Sequence, residues 1–170
     1  MEELNKELLV RAEKTATTLI NILKERSITL ALAESCTAGM VSALLAGIPG
    51  ASAVLWGSFV TYTKEAKVSM LGIEEKVPET FGVVSEQTAR AMAEGALRKS
   101  SAGISAAVTG LAGPSGDGSN VPVGTVWTAA VLRNGEITAK KHYFTGERNE
   151  VRISAGIAVL EMIINLLTKT

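Results

Sequence analysis

The stretch TLALAESCTAGM, residues 29–40, holds the transition that decides the fold. Its first half is short and continuously apolar, which is typical of a strand buried on both faces of a sheet. Four polar residues follow at once, and small and apolar residues in a helical pattern then continue to Ala46, where Gly47 and Pro49 end the pattern. The stretch therefore predicts a buried strand that turns directly into a helix over residues 37–46. The four polar residues at the turn are Glu34, Ser35, Cys36 and Thr37.

Strands and helices alternate along the first two thirds of the chain. Residues Leu4 to Arg26 form an amphipathic pattern that predicts a helix before the opening stretch. Residues 53–63 are rich in β-branched and aromatic side chains and predict a second strand, and Lys64 to Leu71 then return to a helical pattern. A helix with Ser85 as its N-cap and a third buried strand at residues 102–110 come next.

The last third of the chain predicts a hairpin and a long helix. Residues 124–132 and 136–144 are two predicted strands joined at Asn134-Gly135, a strong short-range hairpin signal. Apolar residues from Arg148 to Leu167 then recur on two adjacent stripes, which predicts a well-buried helix. This order of elements predicts a three-layer α/β/α fold with a mixed, mostly parallel sheet and one antiparallel hairpin. We expect a single domain over residues 1–170.

Composition argues against several classes of function. Lysine and arginine total 17 and aspartate and glutamate total 17, so no positive excess is present to bind nucleic acid. Cys36 is the only cysteine, which rules out an internal disulfide and a zinc site built on several thiolates. The charged amino-terminal residues lack the apolar core of a secretion signal. A cytoplasmic protein is therefore expected.

The stretch from Ser35 to Thr63 contains no charged residue and is long enough to suggest a membrane span. Pro49 interrupts it between two glycines, and serines and threonines are scattered along both halves. A membrane span requires one continuous apolar helix. The stretch therefore favours a helix and a strand buried in a layered soluble protein, with no membrane partner.

Three polar segments follow predicted strands, where ligands bind in open α/β sheets. They are ESCTAG at residues 34–39, TYTKEAK at residues 61–67 and TGLAGPSGDG at residues 109–118. In the first, a serine at a helix start faces free N–H groups that favour an anion or a developing oxyanion. The alternative is that Ser35 or Thr37 merely caps the helix, and the segment alone leaves both interpretations open.

In the second segment, Lys67 falls in the first turns of a helix, where the positive end of the helix dipole disfavours a cation. Burial would disfavour the ammonium further and produce a lysine that can act as a base near neutral pH and deprotonate a serine. The alternative is that Lys64 and Lys67 are both solvated surface residues, paired with Glu65.

The third segment has the composition of a ligand-binding loop. Its glycines permit close backbone approach, and successive N–H groups in such turns form pockets for phosphate or carboxylate. Neither of the common glycine-rich nucleotide fingerprints is present. Arg148 and Arg152, in the first turn of the last helix, oppose the helix dipole and invite an anionic ligand or acidic partners such as Glu147 and Glu150.

The remaining candidates are weaker. His142 lies beside Lys140 and Lys141 on the second hairpin strand, so neither a histidine-dependent triad nor a metal site is expected there. Cys36 has no neighbouring basic residue and is interpreted as a small packing residue rather than a nucleophile. Trp56 and Trp127 are predicted to lie in the core. None of these residues is therefore predicted, on these grounds, to act in catalysis or to bind a metal.

Taken in order, six segments resemble the CinA C-terminal domain family, whose enzymatically active members are nicotinamide-nucleotide amidases. The resemblance covers the chain from about Thr29 to Leu167. It is carried by AESCTAG, GSFVTYTKEAKVSMLGI, GVVSEQTARAMAEGA, AVTGLAGPSGDG, PVGTVW and GERNEVR, in the family's order and roughly its spacing.

The resemblance implies that Ser35 is the nucleophile and Lys67 its general base, with Tyr62 near this dyad. The implied reaction is hydrolysis of the carboxamide of nicotinamide mononucleotide to nicotinic acid mononucleotide and ammonia. No metal or organic cofactor is expected, and the partner is a small-molecule nucleotide substrate. The expected substrate-binding residues are Glu34, Cys36, Thr37, Thr109, Gly110, Ala112, Gly113 and Arg148.

Two positions depart from the family pattern. Ala38 stands where the family commonly has glycine, and its methyl group could narrow the pocket. Lys64 stands where the family usually has asparagine, and a second cation could depress the proton affinity of Lys67 or change substrate preference. Longer family members carry an amino-terminal domain, and a stand-alone form is expected here.

Two other functions remain open at this point. One is a non-catalytic nucleotide-binding or regulatory domain, and the other is a Ser/Lys amidase that acts on another small amide. The apolar final helix and the edge strand of the hairpin both offer surfaces that a second copy could cover, which favours a homo-oligomer.

Overall fold

The computed structural model describes the backbone of residues 2–169 and the side chains of residues 6–169. The predicted apolar side chain of Leu4, and the ends Met1 and Thr170 of the predicted domain, lie outside these residues. The helices are α1 (Glu2–Glu25), α2 (Met40–Ala46), α3 (Lys64–Leu71), α4 (Lys76–Phe81), α5 (Glu86–Lys99) and α6 (Arg148–Lys169). The strands are β1 (Leu30–Glu34), β2 (Leu55–Val60), β3 (Ile104–Gly110), β4 (Thr125–Leu132) and β5 (Ile137–Tyr143).

The five strands form one mixed sheet in the order β2-β1-β3-β4-β5. β1 pairs in parallel with β2 and with β3, whereas β4 is antiparallel to both β3 and β5. Four of the five strands therefore run in one direction, and β4 and β5 form the hairpin. The predicted mixed, mostly parallel sheet is confirmed.

Helices cover both faces of the sheet, because the side chains of each strand alternate between two apolar clusters. Leu30, Leu32 and Ile104 point to the face packed by α1, α2 and α6. Ala33 and Ala107 point to the opposite face, packed by α3 and α5. The predicted three-layer α/β/α arrangement is confirmed.

Local signals in the sequence set several element boundaries. Ser85 caps α5, since its Oγ accepts a hydrogen bond of 3.2 Å from the Thr88 N–H. Gly72 ends α3 in a left-handed conformation with φ 64°, which glycine adopts at little cost. Thr63 caps α3 by accepting a 3.0 Å hydrogen bond from the Ala66 N–H.

Local structure departs from the sequence predictions in several places. α2 begins at Met40, three residues after the predicted start. No element was predicted where α4 lies, and Pro78 fits its first turn because the first N–H groups of a helix make no intrahelical hydrogen bond. Trp56 is 44% exposed rather than in the core, because β2 is an edge strand of the sheet. Trp127, by contrast, is partly buried and packs against the apolar cluster of the α5 face.

Two apolar stretches of the chain, residues 35–63 and α6, belong to the layered fold but differ in burial. The strand predicted to be buried in the first stretch is instead the edge strand β2, in which no residue from Leu55 to Val60 is fully buried. Residues 35–63 divide into a turn, the seven-residue α2, a short 3₁₀ turn and β2. α6 is long and apolar enough to cross a membrane by length and composition, but 67% of its apolar window is buried inside the protein. Its burial is that of a core helix.

Gly95 offers a test of the packing between α5 and α3. An added Cβ at this position would lie 2.7 Å from the Leu71 carbonyl oxygen and 2.8 Å from the Leu71 Cβ. Overpacking of roughly 1–3 kcal/mol should outweigh the ~1 kcal/mol that alanine gains over glycine within a helix. We expect Gly95→Ala to lower the free energy of unfolding in urea, whereas exposed Glu94→Ala should change it by less than about 0.5 kcal/mol. Equal or greater stability of Gly95→Ala would contradict this account.

Candidate active site

The three predicted polar segments meet at the carboxyl ends of the parallel strands. The parallel register pairs Glu34, at the end of β1, with Val60 of β2 and Val108 of β3. The residues that follow these positions therefore emerge side by side and surround a cavity of about 270 Å³. Its lining residues are Ser35, Cys36, Tyr62, Lys64, Lys67, Val83, Val84, Thr109, Gly110, Leu111, Ala112, Gly113, Ser115, Asp117 and Arg148.

Most of the predicted site residues line this cavity, but two do not. Glu34 and Thr37 are each 0% exposed and lie behind the cavity wall. Their predicted direct contact with substrate is corrected to a structural role in the turn that carries Ser35. Six further lining residues were not named individually as site residues. Four of them, Lys64, Leu111, Ser115 and Asp117, lie within the predicted polar segments, whereas Val83 and Val84 lie outside all three segments.

Lys67 and Ser35 are in hydrogen-bond contact. The Lys67 Nζ lies 2.9 Å from the Ser35 Oγ, and it also donates to the carbonyl oxygens of Thr61 at 2.8 Å and Tyr62 at 3.4 Å. Lys67 is only 1% exposed, which excludes the solvated alternative for this residue. The side chain is placed here because it lies in the first turn of α3, directly after β2.

Burial lowers the pKa of Lys67 from 10.5 to about 8. The cause is loss of water around the ammonium, since no carboxylate among the described side chains forms a salt bridge with it. A sizeable fraction of this amine is therefore neutral near physiological pH. In that form it can accept the proton of the Ser35 hydroxyl.

The N–H groups at the start of α2 already have hydrogen-bond partners within the protein. Those of Val41 and Ser42 donate to the Glu34 carboxylate, at 3.0 and 2.9 Å. Neither Ser35 nor Thr37 caps the helix in the way the sequence suggested, because Gly39 occupies the N-cap position. Within residues 2–169, the N–H groups of Cys36 and Thr37 have no backbone acceptor, and Cys36 lines the cavity.

Two arginines from the first turns of α6 hold the loops of the site. Arg148 donates to the Gly113 carbonyl oxygen and, at 3.0 Å, to the Tyr62 hydroxyl, so it joins the glycine-rich loop to the segment after β2. Arg152 donates to the carbonyl oxygens of Cys36 at 3.2 Å and Thr37 at 2.8 Å. Both were predicted to attract anions or acidic side chains. Arg152 instead binds the turn that carries Ser35, a role that no local sequence signal reveals.

Lys64 lines the cavity, but its charge is already neutralised. Its Nζ forms salt bridges with Glu79 at 2.7 Å and Glu75 at 3.4 Å, and these carboxylates raise the pKa of Lys64. The low pKa of Lys67 arises from burial rather than from this neighbouring cation. Lys64 therefore joins α3 to the segment containing α4 at the edge of the cavity.

Thr109 and His142 have partners that explain their positions. The Thr109 Oγ1 donates to the Val83 carbonyl oxygen at 2.7 Å, which fixes the segment before α5 against the end of β3. His142 lies on β5 at the far edge of the sheet, where its Nε2 is 3.0 Å from the Thr128 Oγ1. Among the described residues, no group of three or more His, Cys, Asp or Glu side chains is arranged to hold a metal ion.

A larger cavity of about 660 Å³ lies between α1, β5 and α6. It contains none of the predicted site residues, and neither Ser35 nor Lys67 borders it. Size alone therefore does not identify the active site. The smaller cavity holds the buried amine and the hydroxyl, which are the groups capable of chemistry.

Comparison with known proteins agrees with this architecture. The family model of the CinA C-terminal domain matches residues 12–167. The chain belongs to the CinA C-terminal domain family. Its relatives include a CinA-like protein from Petrotoga mobilis, 43% identical over 152 residues, and another from Thermotoga neapolitana, 41% identical over 149 residues. These alignments cover 89% and 88% of this chain but only 38% and 36% of the relatives, so the chain spans less than two fifths of their length.

Solved structures of the CinA superfamily have the same fold. The competence/damage inducible protein CihA from Agrobacterium tumefaciens is 41% identical, with a TM-score of 0.88 over 92% of this chain and 95% of that one. A CinA superfamily protein from Klebsiella pneumoniae is 30% identical, with a TM-score of 0.90 over 94% of this chain and 99% of that one. The α/β architecture is thus that of the family.

The thiol of Cys36 should be unreactive in the folded protein. Burial raises its pKa from 9.0 to about 11, which lowers the thiolate fraction at neutral pH roughly 100-fold. We expect Ellman's reagent to modify native Cys36 at least 100-fold more slowly than the same thiol in 8 M urea. A native rate within tenfold of the denatured rate would show that Cys36 is an accessible thiol and reopen its role as a nucleophile.

Proposed function

We propose that this protein is a cytoplasmic amidohydrolase that converts nicotinamide mononucleotide to nicotinic acid mononucleotide and ammonia through a Ser35–Lys67 dyad. The observation that carries the proposal is the 2.9 Å separation between the Lys67 Nζ and the Ser35 Oγ, with the amine buried and its pKa lowered to about 8. The substrate is proposed from the resemblance of the motifs to those of the enzymatically active family members, and membership of the CinA C-terminal domain family supports it only at the level of the domain.

The proposed reaction passes through an acyl-enzyme. Neutral Lys67 removes the Ser35 hydroxyl proton as the Oγ attacks the carboxamide carbon, and the carbonyl oxygen becomes an oxyanion. The Lys67 ammonium then returns the proton to the departing nitrogen, which leaves as ammonia. A water molecule, deprotonated by Lys67, attacks the ester, and Ser35 leaves with that proton while the carboxylic acid is released.

The oxyanion needs donors other than the start of α2, whose N–H groups at Val41 and Ser42 are bound to Glu34. The N–H of Cys36 is the proposed donor, since Cys36 follows the nucleophile, lines the cavity and has no backbone acceptor among the described residues. The amide of Ser35 itself donates to the Val108 carbonyl oxygen at 3.0 Å and is not free for this role.

The glycine-rich side of the cavity is proposed to bind the nucleotide phosphate. Arg148 supplies a positive charge there, and the N–H groups of Ala112 and Gly113 have no backbone acceptor within residues 2–169. Tyr62 lies between the dyad and this side, because its carbonyl oxygen contacts Lys67 while its hydroxyl contacts Arg148. An amide substrate with an anionic tail fits this division of the cavity.

A direct assay tests the dyad. Ammonia release from nicotinamide mononucleotide should fall at least about 1000-fold in Ser35→Ala and in Lys67→Met, because one removes the nucleophile and the other the base. Exposed Ser69→Ala on α3 and exposed Lys99→Met on α5 are matched controls and should keep full activity. Full activity in either dyad variant would exclude the mechanism.

Binding measurements separate the two remaining functions. Calorimetric binding of nicotinamide mononucleotide by the wild type, without ammonia release over hours, would support a non-catalytic nucleotide-binding domain. Release of ammonia from other small amides, but not from this nucleotide, would support an amidase of different specificity. Both outcomes would reject the proposed reaction.

The pH dependence of the reaction should follow the amine of Lys67. Below its pKa of about 8 the group is protonated and cannot accept a proton, so kcat/KM should rise about tenfold per pH unit and level off above pH 8. The rate is measured from pH 5.5 to 9.5 at constant ionic strength. A profile that is flat across pH 6–9 would show that no group with this pKa takes part.

A further inference from the structure

We propose that Glu34 is a positioning residue that sets the distance between Ser35 and Lys67, an inference that rests on the proposed function. Glu34 is 0% exposed and does not border the cavity. It is bonded covalently to Ser35, and its backbone carbonyl oxygen accepts a 2.8 Å hydrogen bond from the Thr61 N–H. The Thr61 carbonyl oxygen in turn accepts the hydrogen bond from Lys67 at 2.8 Å. Glu34 is therefore bonded directly to Ser35. It is also hydrogen-bonded to Thr61, the residue whose carbonyl oxygen holds the Lys67 amine.

The carboxylate of Glu34 fixes this position by four hydrogen bonds to three parts of the fold. One oxygen accepts from the Thr37 Oγ1 at 2.8 Å and from the Val41 N–H at 3.0 Å. The other accepts from the Ser42 N–H at 2.9 Å and from the Ser58 Oγ at 3.1 Å. The side chain thus ties the end of β1 to the turn, to α2 and to the neighbouring strand β2.

The turn between Ser35 and α2 requires such support. Ala38 has φ 50° and Gly39 has φ 90°, so two consecutive residues adopt left-handed backbone conformations, and alanine rarely does so. Thr37 immediately precedes them and is held by Glu34 on the inner side. Without the carboxylate, this turn would lose the hydrogen bond that holds it on its inner side. Ser35 belongs to the same segment and would be held less firmly.

The arrangement specifies a carboxylate rather than any polar side chain of equal size. Each oxygen accepts one backbone N–H, which can only donate, and one hydroxyl, which can reverse its role. In Glu34→Gln, either orientation of the amide turns its NH₂ group toward a backbone N–H of Val41 or Ser42. The substitution is nearly isosteric, yet it should displace the turn.

The test measures the reactivity of Ser35 independently of the natural substrate. An aryl sulfonyl fluoride is incubated with the protein, and the rate of sulfonylation at Ser35 is followed by intact mass and peptide mapping. The variants are Glu34→Gln, Thr37→Val and Ser58→Ala, with exposed Thr18→Val as a matched control. Leu132→Ala, which leaves a core cavity beside Ile104 at the end of β3 away from the site, controls for loss of stability alone.

We expect Glu34→Gln to lower both the labelling rate and kcat by about 100-fold, as small displacements of a reacting group do. The KM for nicotinamide mononucleotide should change less than about threefold, and the pH midpoint of labelling should stay at the wild-type value, because Lys67 itself is unchanged. Thr37→Val and Ser58→Ala should each lower the labelling rate by about tenfold, because each removes one of the four hydrogen bonds to the carboxylate. Thr18→Val and Leu132→Ala should label at the wild-type rate.

Several results would overturn the inference. Folded Glu34→Gln that labels within threefold of the wild type refutes it, as does a loss confined to KM or an equal loss in Leu132→Ala. If Glu34→Gln does not fold, wild-type labelling rates in Thr37→Val and Ser58→Ala refute it. Wild type that labels at Ser35 without turning over the nucleotide rejects the proposed substrate, while slower labelling in the variants still supports the positioning role. Wild type that does not label at Ser35 rejects both.

Discussion

An amine withdrawn from water beside an alcohol is the constraint on which this site depends. In the folded protein the Lys67 amine contacts one hydroxyl and two carbonyl oxygens in place of water. These contacts replace the hydration of a neutral amine adequately, but they replace that of an ammonium poorly. Burial of Lys67 therefore has an energetic cost, and it leaves an amine with a pKa near 8 beside the Ser35 hydroxyl. The packing of the surrounding strands and helices offsets that cost, because no carboxylate among the described side chains forms a salt bridge with Lys67.

The rest of the architecture keeps the two groups together. The end of β1 is attached on its inner side through Glu34 and on its outer side through Arg152, which binds the carbonyl oxygens of Cys36 and Thr37. One turn earlier on α6, Arg148 attaches the glycine-rich loop to Tyr62. Since α6 is also a central helix of the core, movement of its first turns would disturb both walls of the cavity together.

The two departures from the family pattern have different physical consequences. Lys64 brings a second cation to the cavity, but two carboxylates near and within α4 pair with it, so its effect on Lys67 is small. Ala38 occupies a left-handed position, where glycine would be free of steric strain. Lys64 thus changes the surface at the cavity edge, whereas Ala38 places backbone strain three residues after Ser35, the proposed nucleophile.

The sequence by itself determined the three-layer α/β/α fold, the hairpin at Asn134-Gly135, the cap at Ser85 and the three segments that surround the cavity. These features depend on periodicity and on turn residues, which act over a few positions. Only the tertiary structure decided that Lys67 is buried while Lys64, three residues earlier on the same helix, is not, and that Trp56 is exposed. It also decided that the Glu34 carboxylate binds the start of α2. Burial and partners of this kind depend on strand order and on which elements pack together, and neither property is contained in the local pattern of the residues concerned.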